Sequence, residues 1–166
     1  LSRDDFFRFT APRAPSRQIL AMSLVVPAVL PSSKRDLEEK LARFVKLRAV
    51  TRIQIDVVDG TFASPASFPY TEPAEFRRML ERCEMLPHLD TVVYEIDLMC
   101  LDAESAAGDW LALGATRLTF HAEAATDLKR LLAEARKRYG TGDGFASDLV
   151  SFGLAINIAS ALAIIE

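Results

Sequence analysis

Five short apolar runs recur along this chain, and stretches with helical periodicity separate them. "LVVPAVL" (24–30), "RIQIDVV" (52–58), "TVVYEIDLM" (91–99), "TRLTFHA" (116–122) and "VSFGLAIN" (150–157) read as strands. Ser33 is expected to cap a helix over 34–48, where Leu37, Leu41, Phe44 and Val45 fall at helical spacing. Thr71, with Pro73 in the first turn, opens a second helix to about Cys83. Asp102 is expected to cap a third, which carries Trp110, Leu111 and Leu113 inward and closes at Gly114. A fourth runs from Thr126 to Tyr139 and stops at Gly140. "GTGDGFASD" reads as a flexible loop, and "SALAIIE" as the start of a further helix.

Strand and helix alternating through short connections imply a parallel sheet with helices packed outside it. Right-handed crossovers then leave two architectures, an open doubly wound sheet or a (βα)8 barrel. The first strand runs into "LPSSK", which has no glycine, so a dinucleotide-binding turn is not indicated. Polar residues set inside strands near their C-terminal ends favour the barrel, where that face carries the chemistry.

Strand parity sorts the residues. Ile53, Ile55 and Val57 share one face of the second strand, and Gln54, Asp56 and Val58 share the other. In the third strand Ile96 and Leu98 oppose Glu95, Asp97 and Met99. In the fourth, Leu118 and Phe120 oppose Thr119 and His121. With the aliphatic sets under the helices, the polar sets converge on one cavity. Buried carboxylates are costly without a cation or a donor, so Asp56 and Asp97 together point to a site.

Composition narrows the class. A chain of 166 residues, half of them hydrophobic, makes one globular domain with a real core. The net charge of −3 and the lack of a basic block leave no footprint for nucleic acid. Lys34–Arg35 and Lys137–Arg138 read as solvated helix ends, and His88 as a surface residue. Cys83 and Cys100 are too few for a disulfide framework and read as reduced thiols. No apolar run reaches membrane-spanning length, so no membrane partner is expected. Residues 1–21 lack the plan of a secretory signal and read as an N-terminal arm ahead of a domain over 22–166, with the cytoplasm as the expected compartment.

Several stretches resemble the ribulose-phosphate 3-epimerase family. "RIQIDVVDGTFASPASFP" is similar to the family's second-strand signature, "W-I-H-x-D-V-M-D-G-x-F-V-P-N-x-T-F-G". "YEIDLM" resembles "D-V-H-L-M", "GATRLTFHAEA" resembles "G-A-D-x-I-T-F-H-x-E-A", and "GLAINIASALAIIE" resembles "G-L-A-L-N-P-A-T-P-L-x-x-I-E". "VVPAVLPSSKRDLEEKL" fits the family's opening. The resemblance implies a TIM (β/α)8 barrel of the ribulose-phosphate-binding type, present through about the fifth strand. It implies interconversion of ribulose 5-phosphate and xylulose 5-phosphate in carbohydrate metabolism. Two aspartates, on the second and seventh strands, would work on opposite faces of C3. A divalent metal (Zn, Mn, Fe or Mg), held by two His and the same aspartates, would steady the enediolate.

Asp56 matches the second-strand aspartate, both ligand and acid–base group. The matches depart from the pattern at four positions. Gln54 and Asp97 stand where the family has its two His ligands, Ala28 where it has a substrate-contacting Ser, and Val58 where it has Met. Ala28, Val58 and His121 are the expected substrate neighbours, His121 lying beside the metal centre. Gln54, Asp56 and Asp97 would form an oxygen-only set suited to Mg2+ or Mn2+, and loss of metal-dependent epimerisation is the other outcome. The likeness ends after the fifth strand, and five strands do not close this barrel. Bare edges with apolar inner faces are the expected result, relieved by a continuation past Glu166, by a second chain as in a homo-oligomer or a pairing with a related barrel, or by neither in a shortened relic. Three readings of function stay open: an epimerase with an altered metal site, an inactive binding or assembly module, and an epimerase for another sugar phosphate.

Overall fold

Sheet order follows chain order, β1-β2-β3-β4-β5, and every pair is parallel. The computed structural model describes residues 25–125, 127–139 and 150–160. Its strands are β1 (Ala28–Val29), β2 (Arg52–Val58), β3 (Val93–Met99), β4 (Arg117–His121) and β5 (Ser151–Ala155). The helices between them are α1 (Lys34–Phe44), α2 (Pro73–Glu81), α3 (Ala103–Ala112) and α4 (Leu128–Tyr139), with a short 3-10 turn at Ala122–Ala124. An order without reversal has no switch point, which separates this sheet from the doubly wound alternative.

One apolar cluster explains the winding. It joins Ile53, Ile55 and Val57 of β2, Ile96 and Leu98 of β3, and Leu118 and Phe120 of β4 to Leu37, Leu41, Met79, Trp110 and Leu131 of the four helices. All four helices thus lie on one side of the sheet, as the parity of the strands requires. Burying each such side chain stabilises by roughly 1.5–3 kcal/mol. The opposite face carries Arg52, Gln54, Asp56, Glu95, Asp97, Arg117, Thr119 and His121. The described residues form four successive βα units and a fifth strand of a TIM-type barrel wall.

The ends of several elements differ from the sequence expectation. Helix α1 stops at Phe44, short of 48, because the next residues tighten into turns, with Leu47 N–H on Phe44 O and Val50 N–H on Leu47 O. Strand β1 has two residues. The N-cap of α2 is Glu72, not Thr71, and its carboxylate accepts the Lys34 backbone N–H at 2.9 Å instead of capping its own helix. Asp102 is the N-cap residue of α3, but its carboxylate is taken by the Tyr70 hydroxyl. Ser33 caps α1 as expected, accepting from Asp36 N at 3.1 Å. Lys34 is no solvated end: only 19% of its side chain is exposed, and it meets Glu84 at 2.5 Å and Glu75 at 3.4 Å. The loop over 140–148, the arm over 1–21 and the stretch after Ser160 lie outside the described residues.

The inner sides of the two outer strands carry small residues: Ala28 in β1, and Ser151, Gly153 and Ala155 in β5. Gly153 makes room for its neighbours. A Cβ there would stand 3.0 Å from Thr119 Oγ1 and 3.3 Å from an Arg117 guanidinium nitrogen. Elsewhere, Cys83 is exposed, while Cys100 is buried and its thiol is pushed up to about 12, burial being the main cause. Cys100 is therefore an inert core group at neutral pH.

Trp110 anchors the helical layer. It is fully buried, with the Phe76 ring 5.2 Å and the Phe68 ring 6.4 Å away, centre to centre. Trp110→Ala is expected to cost about 3–5 kcal/mol in urea unfolding, the range for large aromatic truncations in a packed core. A loss under about 1 kcal/mol would mean that this cluster is not the core.

Candidate functional site

Asp56 and Asp97 are register partners on β2 and β3, and Thr119 is the next partner on β4. Parallel strands lie about 4.8 Å apart, so parity and register bring the two carboxylates side by side on the face away from the helices. Both lie in the C-terminal halves of their strands, where barrel chemistry sits.

Each carboxylate has a protein donor. Gln54 donates its amide N–H to Oδ1 of Asp56 at 2.8 Å. An ionised carboxylate only accepts, so the amide nitrogen, not its carbonyl, must face Asp56. Nε2 of His121 lies 2.9 Å from Oδ1 of Asp97, and both side chains are less than a fifth exposed. Phe62 sets its ring edge-on to His121 at 5.2 Å, so the loop after β2 braces the imidazole.

Burial raises the Asp56 pKa above the ordinary carboxylate value. The Gln54 hydrogen bond opposes that shift, the Asp97 charge adds to it, and His121 opposes it. Asp59, three residues on, goes the other way. Burial alone would raise it, but the backbone N–H groups of Leu101, Phe62 and Thr61 outweigh burial and hold it low. Those bonds join the loop after β2 to the loop after β3. Ser67, fully buried, donates its hydroxyl to Asp56 O at 2.9 Å and accepts from Val58 N at 2.8 Å, fixing the backbone that follows the acid.

The structure brings Gln54, Asp56, Asp97 and His121 together. Ala28 is the register partner of Gln54, one residue pair below Asp56. Val58 is 3% exposed beneath the Ser67 segment. As arranged, Gln54, Asp56 and Asp97 do not fit a divalent cation. Gln54 turns an N–H donor towards Asp56, where a ligand must offer a lone pair. Among the described residues, no three His, Cys, Asp or Glu side chains gather around a point that would hold a metal ion.

Sequence reading missed a second group. Glu95, 9% exposed, meets an Arg52 guanidinium nitrogen at 2.9 Å and Arg117 Nε at 3.8 Å. This triad lies below Asp56 and Asp97, towards the N-terminal ends of the strands. The parity that assigned Gln54 inward assigns Arg52 inward too, and Arg117 shares a face with Thr119. Ser67 and Phe62 gave no periodic signal because they stand in a loop.

The structure defines a wall of a βα barrel whose inner face carries two side-by-side carboxylates, Asp56 and Asp97, at the end of the strands where barrel sites lie. Residues 24–151 match the Ribulose-phosphate 3 epimerase family, and the chain belongs to it. No curated protein matches the sequence. No helix among the described residues is long and apolar enough to cross a membrane.

The Asp56 shift has a signed consequence. A carboxyl whose folded pKa is raised contributes stability that is fully present below its unfolded value of 3.8 and is lost as pH rises through the folded pKa. Asp56→Asn removes that loss. The variant is expected to melt higher than the parent at pH 7, with the advantage shrinking to nothing near pH 3. A variant that melts lower than the parent at pH 7 would show that the Asp56 charge is stabilised in the fold.

Proposed function

We propose that this protein is a sugar-phosphate epimerase-type enzyme in which Asp56 moves the proton at the carbon beside a carbonyl, with ribulose 5-phosphate or xylulose 5-phosphate as substrate. The observation that carries the reading is the raised pKa of Asp56 at the C-terminal end of an inner strand, in a chain of the epimerase family. A general base works best when its pKa approaches the working pH, and burial moves Asp56 that way. The Gln54 amide fixes the carboxylate, and the Ser67 hydroxyl fixes the backbone carbonyl of Asp56. Thr119, the register partner of Asp97, is the donor for the oxygen on which charge develops. The same chemistry suits a different sugar phosphate with the same ketone.

A second reading has its own observation: both imidazole positions of the family are occupied by Gln54 and Asp97, whose polar groups are engaged within the protein. On that reading the domain is a binding or assembly module, alone as a homo-oligomer or with a related barrel.

Incubation with ribulose 5-phosphate in D2O, followed by NMR at C3, separates the two. A single base returns a deuteron to the face from which it took the proton, so Asp56 acting alone exchanges C3 without forming xylulose 5-phosphate. Exchange with inversion requires a second acid on the opposite face. Either result supports the enzyme, and Asp56→Asn should lower the exchange rate by about 10²–10⁴-fold. No exchange with Mg2+, Mn2+, Zn2+ or EDTA present would remove the catalytic reading and leave the module.

A further inference from the structure

The metal position of the family is met here by a different solution to the same electrostatic problem. Two neighbouring carboxylates repel each other and must be balanced by positive charge or by donors. In the ligand set that the family resemblance implies, the His side chains are neutral and the metal supplies the positive charge. In this chain Asp97 replaces one of those neutral ligands with an anion, which on simple charge counting would attract a cation more strongly. Yet each carboxylate already has a donor of its own, the Gln54 amide for Asp56 and the His121 imidazole for Asp97. Towards the N-terminal ends of the strands, Arg52 and Arg117 are taken up by Glu95 and not by either carboxylate. Gln54 has a second effect. Ligation through its carbonyl would require the amide to turn over, and that would set the carbonyl dipole against Asp56.

We propose that this site is metal-independent: the Gln54 amide and the His121 imidazole hold Asp56 and Asp97 in place of a divalent cation. The inference rests on the acid–base reading of Asp56 above and names the charge partner of that same site. It requires that metal be excluded by two residues. Returning them to imidazole in Gln54→His, Asp97→His frees His121 and offers Asp56 two neutral ligands.

The test measures metal directly. Purified protein is loaded with Zn2+ or Mn2+, gel-filtered and analysed by mass spectrometry for metal per chain, and the affinity is then read by calorimetry. Circular dichroism checks that the double variant is folded, and Asp97→His alone serves as the milder change if it is not. Changes to outer-shell partners alone shift metal affinity by about 10–100-fold, so two new ligands should tighten binding by at least ~100-fold over the parent. The expected result is a parent without stoichiometric metal and a folded variant that holds it. A parent that retains one metal per chain, lost in Asp56→Asn, overturns the proposal. A folded variant that gains nothing also overturns it, since Gln54 and Asp97 would then not be what excludes the ion. Activity distinguishes the two inferences. C3 exchange that persists in EDTA agrees with both, and exchange that needs added metal keeps the enzyme but ends metal independence. Absence of exchange under every condition ends the enzyme while the metal measurement still stands.

Discussion

Two carboxylates in register on adjacent parallel strands are the constraint around which the inner face is arranged. At about 5 Å and an effective dielectric near 20, two such charges repel by roughly 3 kcal/mol. A marginally stable domain does not leave a term of that size unanswered. The answers are visible as specific contacts: the Gln54 amide on Asp56 and the His121 imidazole on Asp97. The raised pKa of Asp56 is what remains after burial and the Asp97 charge are set against those donors.

The sheet makes that arrangement possible because its two faces are chemically opposite. Helices α1 to α4 all cover the aliphatic side, so the fold gains its burial energy without using the other face. The inner face is then free to hold charge, and its small residues leave space for it. Gly153 clears the Thr119 hydroxyl and the Arg117 guanidinium, and Ala28 stands beside Gln54 without competing for its amide. The loops complete the site from above. Asp59 ties the loop after β2 to the loop after β3, and within the first of these Phe62 braces His121. An acid lowered by backbone N–H groups thus builds the surroundings of an acid raised by burial.

Much of this was legible in the sequence, where it depended on local pattern. The alternation Ile53, Ile55, Val57 against Gln54, Asp56 is a property of seven consecutive residues, and the structure keeps it. So is the Ser33 cap. What was not legible depended on pairing across the chain. Lys34 reads as a solvated helix start until Glu75 and Glu84, 41 and 50 residues later, are brought against it. Asp102 was correctly placed as a cap residue, but Tyr70 takes its carboxylate, 32 residues away. Arg52 and Arg117 open their strands, a position where a charge usually means solvent, and only the β2–β3–β4 register reveals Glu95 between them.

The order of charge along the inner face bears on how an anionic substrate would enter. Asp56 and Asp97 lie towards the C-terminal ends of the strands, and the arginines lie below them, next to Glu95. A phosphate brought to the C-terminal face would meet the carboxylates before it met either guanidinium. The phosphate end of a sugar phosphate must therefore bind away from Asp56 and Asp97, while its uncharged carbonyl end approaches them. Of the cations on the described inner face, neither arginine is placed to receive that phosphate without displacing Glu95, the group that holds both in position. On the epimerase reading, proton transfer and phosphate binding are consequently separate tasks. On that reading the described strands would supply the first, and the phosphate contacts would come from residues outside this face.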